Sequence, residues 1–241
     1  MISGETWQSS FMKKPLRIDI VTIFPEMVDP YMHGSILGRG EKAKALSIHT
    51  HQLRRWTHDN HKTVDDKPFG GGPGMLMKVA PFHEALVSLK LRTKDGKKTA
   101  GSKKARVIVT SAKGRPFTQS DAVRLSKYNQ LVFLCGRYEG IDERVIEHLC
   151  DEEFSIGPYV LTGGELPAMV MADAVARLRP GVLGKAESLA RESHTIEGEL
   201  EHAQYTRPDK YPLNKKKSWD VPEVLLSGDH KKIEEWRSKR K

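Results

Sequence analysis

Short apolar runs alternate with segments of helical periodicity between residues 105 and 178, and this alternation constrains the fold more than any other feature. The predicted elements, in chain order, are a strand at Val107–Thr110, a helix at 119–127, a strand at Leu131–Leu134, a helix at 142–149, a strand that ends near Ile156, and a long helix over Gly164–Leu178. Continuous apolar strands that alternate with helices are typical of a parallel sheet covered on both faces. We therefore predict an α/β fold with a parallel sheet flanked by helices.

The rest of the chain supports a division into four segments. Residues 1–15 are predicted to be a disordered tail, residues 16–184 the α/β domain, residues 185–204 a linker, and residues 205–241 a small basic helical domain. The α/β domain has further predicted strands at Leu16–Ile23 and Ser47–Leu53, a glycine-rich loop at Phe69–Gly74 and a helix at Pro81–Leu91. The small domain is expected to form its core from Trp219, Val224, Leu225, Leu226, Ile233 and Trp236.

Composition narrows the classes of partner. The 241 residues carry 40 Lys and Arg against 31 Asp and Glu, and this net charge of +9 favours a polyanionic partner such as nucleic acid. The two cysteines, Cys135 and Cys150, are too few for a disulfide scaffold or a thiolate metal site. No stretch offers the ~18 apolar residues that a membrane helix needs, and the first residues lack the apolar region of a secretion signal. We expect a cytoplasmic protein with no membrane partner.

Three glycine-bearing loops follow the predicted strands, at Thr110–Gly114, Cys135–Gly140 and Ser155–Gly164. In open parallel sheets the ligand binds at the carboxyl ends of the strands, and glycine lets the backbone approach it closely. Together the loops predict a small-molecule pocket, although for any one loop taken singly a tight turn is the better explanation of its glycines. The phosphate-binding and dinucleotide-binding glycine motifs are absent, so ATP hydrolysis and dinucleotide redox chemistry lose support.

Polar clusters elsewhere have competing interpretations. The histidines His49, His51, His58 and His61 have ligand-like spacing, but the neighbouring arginines and lysines favour a polar or RNA-facing surface over a metal site. Cys135 ends an apolar strand, so a buried thiol is favoured over a nucleophile. The basic segments at 92–106 and 210–241 contain aromatic residues, and we interpret their lysines as phosphate contacts and their tryptophans as core.

Several segments together resemble a known family. They are Asp59–Met77, with the run DDKPFGGGPGMLM; Leu134–Arg144, with CGRYEGIDER; Ser155–Ala168, with SIGPYVLTGGELPA; Pro180–Gly184; Tyr205–Pro208; and Val221–His230. In this order they resemble the bacterial tRNA (guanine-N1)-methyltransferases of the SPOUT class, the TrmD family. The resemblance spans roughly residues 16 to 238.

The resemblance implies a deep trefoil knot in the α/β domain, a homodimer, and S-adenosylmethionine bound in the knot. It also implies a tRNA substrate, recognised at the anticodon stem-loop and methylated on N1 of the guanine immediately 3′ of the anticodon when another guanine precedes it. By the same resemblance, the small basic domain at 205–241 is expected to bind the tRNA. By the same resemblance the cofactor-binding residues are Thr110, Ser111, Gly136, Tyr138, Glu139, Ser155, Ile156, Gly157, Pro158, Tyr159, Val160, Leu161, Gly163 and Gly164.

The expected chemistry needs a base for the proton on guanine N1 and a cation beside O6, where negative charge develops. Matched to the family's motif, Arg177 takes the O6-stabilising role, and Glu139 helps to organise the methionine end of the cofactor. The resemblance also implies a use for Mg²⁺ there, although no residue is assigned as its ligand. The family's catalytic aspartate falls on Glu192, which we expect to be the base, and Glu187 is a weaker candidate. The alternative that the acidic residues of the linker are only solvated, with no catalytic role, stays open.

Two rival functions remain. One is a SPOUT enzyme that methylates a ribose 2′-hydroxyl, and the other is a non-catalytic RNA-binding module.

Because each active site is expected to borrow Glu192 and the small basic domain from the other chain, the predicted dimer has composite sites.

Overall fold

A computed structural model describes residues 14–183, 201–214 and 217–239. The chain separates into two units, Met1–Gly184 and Lys185–Lys241. Residues 1–13 of the predicted tail lie outside the described residues, as do Gly184 and the predicted linker as far as residue 200, with Glu187 and Glu192.

The strands of the first unit are β1 (Leu16–Thr22), β2 (Leu46–Gln52), β3 (Asp65–Asp66), β4 (Leu76–Met77), β5 (Ala105–Pro116), β6 (Gln130–Cys135) and β7 (Glu152–Ser155). Five of them form one sheet in the order β2-β1-β6-β5-β7, and every neighbouring pair is parallel. Strands β3 and β4 form a separate antiparallel pair. The predicted parallel sheet is confirmed.

The helices of this unit are α1 (Pro25–Met32), α2 (Ser35–Lys42), α3 (Val79–Ser88), α4 (Gln119–Leu125), α5 (Glu143–His148) and α6 (Glu165–Ala176), with single 3₁₀ turns at Leu53–Trp56 and Ala100–Lys104. Local signals explain some of their ends. Pro25 occupies the first turn of α1, where its missing N–H costs nothing. The Thr118 hydroxyl accepts from the Asp121 N–H, and the Asp121 carboxylate accepts from the Thr118 N–H, so a capping box starts α4.

Alternation along the strands sends side chains to two cores, one on each face of the sheet. Along β6, Leu131 and Phe133 join one core, whereas Val132 and Leu134 join the other. Helices α1, α2, α4 and α6 contribute to the first core, and α3 and α5 contribute to the second. Helices therefore cover both faces, as the continuous apolar strands predicted.

The second unit differs from the prediction. Its described residues contain an antiparallel pair of strands, β8 (Lys210–Asn214) and β9 (Lys217–Asp220), and two helices, α7 (Glu223–Leu226) and α8 (His230–Lys239). The prediction of a helical domain was therefore wrong for the hairpin, because two strands of four or five residues are too short to produce a clear alternating pattern. Placing Trp219 and Leu226 in a core was also wrong, because both side chains are exposed.

One residue of the predicted basic surface at 92–106 also belongs to the interior. The Arg92 side chain is fully buried, donates to the Leu149 carbonyl over 2.5 Å and lies 3.5 Å from the Asp151 carboxylate. Arg92 therefore secures the end of α5 and cannot contact phosphate. Among the described ranges, no helix combines the length and the apolar character that crossing a bilayer requires.

Candidate functional site

A cleft of about 500 Å³ lies at the carboxyl ends of β5, β6 and β7. Its walls come from the outer part of β5, the loop after β6 and the loop between β7 and α6. The pairing of β5 with β7 shifts register between Thr110 and Arg115, so the intervening residues leave the ladder and can line the cleft. Its position is where parallel sheets usually hold ligands.

The chain before α6 passes very close to the middle of β5 and to the end of β6. The Gly164 N–H donates to the Gly136 carbonyl over 2.8 Å, and the Thr110 hydroxyl donates to the Gly164 carbonyl over 3.2 Å. A Cβ atom at residue 164 would lie 2.1 Å from Thr110 Oγ1 and 3.0 Å from Cys135 Cα. Only glycine fits here without a shift of the backbone.

The loop after β6 has an unusual backbone that is fixed from one side. Tyr138 has a φ of +60° and Gly140 a φ of +136°. The Glu139 N–H donates to the Met75 carbonyl over 3.1 Å, and the Gly140 carbonyl accepts from the Met77 N–H over 2.9 Å. A positive φ is strained for tyrosine and is maintained only where neighbouring contacts fix the backbone. Such residues concentrate at ligand sites.

Beside the cleft, an ion pair links three parts of the unit. Arg137 Nε donates to Glu165 Oε2 over 2.9 Å, and the Thr22 hydroxyl donates to the other carboxylate oxygen over 2.6 Å. The same guanidinium contacts the Thr162 carbonyl at 3.3 Å and lies 4.6 Å above the centre of the Phe24 ring. Because Glu165 is buried, these bonds fix the loop before α6 against the end of β1.

Charged side chains on the cleft wall differ in their partners. The ammonium group of Lys113 bonds the Glu143 carboxylate, and this bond raises the pKa of Lys113. Glu153, on β7, also lines the cleft, and its Oε1 atom is buried without a hydrogen-bond partner among the described residues. A buried carboxylate oxygen of this kind is a candidate acceptor for a ligand hydroxyl or amine.

The structure brings together nearly all of the predicted cofactor-binding residues. The cleft is lined by Thr110, Ser111, Gly136, Tyr138, Glu139, Ser155, Ile156, Gly157, Tyr159, Val160, Leu161, Gly163 and Gly164. Pro158 is not among the lining residues. Arg177 follows the last residue of α6, is partly buried and does not line the cleft, and Glu192 lies outside the described residues.

Sequence reasoning missed several lining residues, among them Lys113, Arg137, Ile141, Glu143 and Glu153. Arg137 and Lys113 lie within loops that were singled out, so their position after a strand was a usable signal. The pairing of Arg137 with Glu165 joins residues 28 positions apart, and no local pattern reports such a contact.

The other candidates have structural partners. Cys135 is fully buried in a core of the sheet, which confirms the predicted core thiol, and this burial raises the pKa of the thiol well above its usual value. His51 bonds Asp19 over 2.7 Å and His58 bonds Glu84 over 2.8 Å. Within the described ranges, no three His, Cys, Asp or Glu side chains group closely enough to hold a metal ion.

Comparison with known proteins places these features in context. A family model described as tRNA (Guanine-1)-methyltransferase TrmD matches residues 16–241. A tRNA (guanine-N(1)-)-methyltransferase of Bacillus pumilus is 47% identical over 93% of this chain and 86% of its own length. Proteins with the same description from Shewanella denitrificans and Ruminiclostridium cellulolyticum are both 48% identical, over 91% and 92% of this chain and 83% and 89% of their own lengths.

Proposed function

This chain belongs to the tRNA (guanine-1)-methyltransferase family, TrmD, and from that premise we propose that it transfers a methyl group from S-adenosylmethionine to N1 of a guanine in tRNA. The proposed target is the guanine immediately 3′ of the anticodon, when another guanine precedes it. The observation that carries the proposal is the glycine-lined cleft at the ends of β5, β6 and β7. We expect the enzyme to act in the cytoplasm, on tRNA.

The residues of the cleft fit S-adenosylmethionine. Its volume of about 500 Å³ lies within the range of small-molecule sites. Gly136 and Gly157 line the cleft with backbone that has no side chain, so a ligand can approach it closely, and Ile156 and Leu161 provide apolar walls. Glu153 Oε1 and the Thr110 and Ser111 hydroxyls are polar groups suited to hydroxyls and the amino-acid end. When bound, this cofactor supplies an electrophilic methyl group on a sulfonium.

The described residues do not fit a bound Mg²⁺ ion in the same way. Glu143 is paired with Lys113, and Glu165 is paired with Arg137, so neither carboxylate is available without losing its partner. Mg²⁺ prefers several oxygen ligands in octahedral geometry, and no such group of side chains occurs within the described ranges. We therefore assign no step to the metal.

The proposed mechanism uses one carboxylate and one guanidinium. Neutral guanine carries a proton on N1, and we propose that Glu192 accepts this proton as the general base. The electrons left on the ring delocalise toward O6, where Arg177 stabilises the negative charge. Glu139, whose side chain lies over Gly74 at the rim of the cleft, orients the amino-acid end of the cofactor.

Two measurements test the reaction. Calorimetry with S-adenosylmethionine should show binding, whereas a non-catalytic RNA module need not bind it. Mass mapping of a tRNA transcript should place the methyl group on the base, and a transcript without guanine at the target position should stay unmethylated. A methyl group on a ribose 2′-hydroxyl would favour the rival enzyme, and no cofactor binding would contradict the proposal.

Substitution of Glu192 tests the proposed base. Glu192→Gln should lower turnover about 100-fold or more, because general bases contribute roughly that much, and should leave cofactor affinity nearly unchanged. Glu187→Gln is the matched control, since it removes a neighbouring carboxylate of the same segment. If only the Glu187 variant loses turnover, the role of base belongs to Glu187.

We propose that the enzyme is a homodimer, and an apolar face supports this. Met27 and Tyr31 on α1 and Leu166 and Val170 on α6 are all exposed, and each pair is one helical turn apart. The Tyr31 hydroxyl bonds Asp173 over 2.6 Å, so the two helices present one continuous surface. Sedimentation should give the dimer mass for the native chain, and Leu166→Glu should shift it to the monomer.

Mixed dimers test whether the sites are composite. In a dimer of one Arg177→Ala chain and one Glu192→Gln chain, one site keeps both residues if each site draws Glu192 from the partner chain. Such dimers should then be more active than either single-variant homodimer. No gain over the homodimers would argue that each chain supplies its own base.

We also propose the trefoil knot of the SPOUT class for the first unit. The close approach of Gly164 to Thr110 and Gly136 supports this, because the chain before α6 lies directly against the two adjacent strands β5 and β6. An experimental structure whose chain trace straightens when its ends are drawn apart would contradict the knot.

A further inference from the structure

The hairpin of the second unit carries two aromatic rings on one face. Tyr211 on β8 is directly opposite Trp219 on β9 in the strand register. Their ring centroids are 6.0 Å apart and the ring planes differ by 22°, so the rings are stacked. Nevertheless Tyr211 is 54% exposed and Trp219 is 66% exposed.

Such exposure is difficult to explain by stability alone. An aromatic side chain can bury 150–250 Å², and a fold loses this contribution when the ring stays in water (about 25 cal/mol per Å²). A cross-strand aromatic pair stabilises the hairpin locally, but that requires only the faces that touch. Exposed apolar surface of this kind commonly marks an interaction site.

The charge around the rings indicates the partner. Lys217 precedes Trp219 by two positions on β9, so alternation places both side chains on the same face of the hairpin. Lys210 begins β8, and both lysines are exposed. Aromatic faces that stack on bases, together with cations that contact phosphates, are the means by which proteins bind unpaired RNA.

The sequence already indicated that lysines of this segment contact phosphate; we propose in addition that Trp219, supported from behind by Tyr211, is a stacking platform for an unpaired base of the tRNA, with Lys217 beside it on the phosphate backbone. This inference rests on the proposed function, because it takes tRNA as the substrate. It assigns part of substrate recognition to the second unit, whereas the residues that line the cofactor cleft belong to the first. It also favours a single-stranded part of the RNA over a paired stem, since bases within a duplex already stack on one another.

Direct RNA binding tests the proposal without any reaction. The probes are a labelled anticodon stem-loop and a fully paired duplex of similar length, and the readout is fluorescence anisotropy with the full chain in the absence of cofactor. Trp219→Ala should weaken stem-loop binding roughly 5- to 150-fold, the range expected for the loss of one stacked base, and should hardly change duplex binding. Lys217→Gln should lower the salt dependence of binding by about one phosphate contact.

Matched variants separate stacking from folding. Trp219→Phe keeps an aromatic face and should retain most of the affinity, whereas Trp219→Leu keeps apolar area without stacking and should behave like the alanine variant. Circular dichroism checks that each variant is folded. Wild-type affinity for the stem-loop in the leucine variant would overturn the proposal, and so would a change of oligomeric state in place of a change in RNA affinity, because the rings would then contact protein.

Kinetics distinguish this inference from the proposed function. If both hold, Trp219→Ala raises KM for the RNA while kcat at saturating RNA and the affinity for S-adenosylmethionine stay unchanged. If stem-loop binding depends on Trp219 but the protein transfers no methyl group, only the proposed function is contradicted. Methyl transfer with no dependence on Trp219 would remove only the hairpin surface.

Discussion

The two units of this chain use opposite means to present polar groups. In the first unit a buried sheet with helices on both faces brings backbone groups of three loops to one cleft. In the second unit none of the described side chains is fully buried, and Tyr211, Trp219, Lys210 and Lys217 are exposed. A rigid frame of this kind suits a compact ligand held by main-chain atoms, whereas exposed aromatic and basic side chains suit contact with an extended polymer.

The largest effect should come from a single methyl group in the cleft. Gly164→Ala would place Cβ 2.1 Å from Thr110 Oγ1 and 2.8 Å from the Gly136 nitrogen, so strand ends must move. A displacement of ~1 Å in a site can cost about 100-fold in reaction rate, and we expect a loss of similar size in S-adenosylmethionine affinity, measured by calorimetry.

A glycine of the second unit provides the control for this substitution. Gly228 has a φ of +70° and open space around its Cβ position. Gly228→Ala should cost about 1–2 kcal/mol of local strain and leave cofactor affinity unchanged. Equal cofactor affinity in the two variants would contradict the argument that the close backbone packing around Gly164 shapes the cofactor cleft.

The fold of the first unit could be predicted because its signal is local. Apolar runs such as Leu131–Leu134 are continuous since both faces of the strand are covered, and glycine-bearing loops follow them directly. The hairpin could not be predicted in this way, because the stacking of Tyr211 on Trp219 arises only when the two strands pair. Fully buried Arg92 was missed for the same reason, since its partners Leu149 and Asp151 are distant in sequence.

The candidate site divides in the same way. Family motifs correctly identified the glycines of the cleft and the residues of Ser155–Leu161 apart from Pro158. Motif matching does not report the ion pair of Arg137 with Glu165 or the unpartnered oxygen of Glu153. Those features depend on which side chains meet after folding. They are therefore the parts of the site that only the structure supplies.

The next effect should come from the ion pair beside the cleft. Arg137→Met would leave the buried Glu165 carboxylate with Thr22 as its described partner, and breaking a buried pair typically costs about 3–5 kcal/mol. Guanidinium unfolding of the first unit measures this loss. The matched control is Lys113→Met, which breaks the exposed pair with Glu143 and should cost less than about 1 kcal/mol. Equal losses in the two variants would contradict the argument from burial.

A smaller effect should depend on pH. Burial alone would raise the pKa of Asp19, but hydrogen bonds from His51, Arg17 and Gln130 outweigh it and hold that pKa below its usual value. This contribution to stability is therefore fully present above the unfolded pKa of about 3.9 and is lost as the pH falls through the folded pKa. Asp19→Asn should cost about 1–3 kcal/mol at neutral pH.

The shape of the difference between wild type and Asp19→Asn is the diagnostic result. Because protonation of wild-type Asp19 removes the same charge, the gap in unfolding free energy should narrow as the pH drops below about 4. Denaturant unfolding at a series of pH values measures the gap. A gap that stays constant down to the lowest accessible pH would show that the Asp19 charge does not contribute.

The smallest expected effects concern side chains that cap the N-terminus of a helix, which occur in both units. Thr118 caps α4 in the first unit, and Asp229 accepts from the N–H groups of Lys231 and Lys232 at the start of α8 in the second. Thr118→Ala should cost about 1 kcal/mol, because α4 packs its buried face on the sheet core and cap loss is transmitted to the unit. Asp229→Ala should accelerate amide exchange chiefly in α8, where its bonds are made. Hydrogen exchange resolved by segment measures both effects. Faster exchange throughout the first unit in the Asp229 variant would contradict the expectation that the Asp229 cap stabilises only α8.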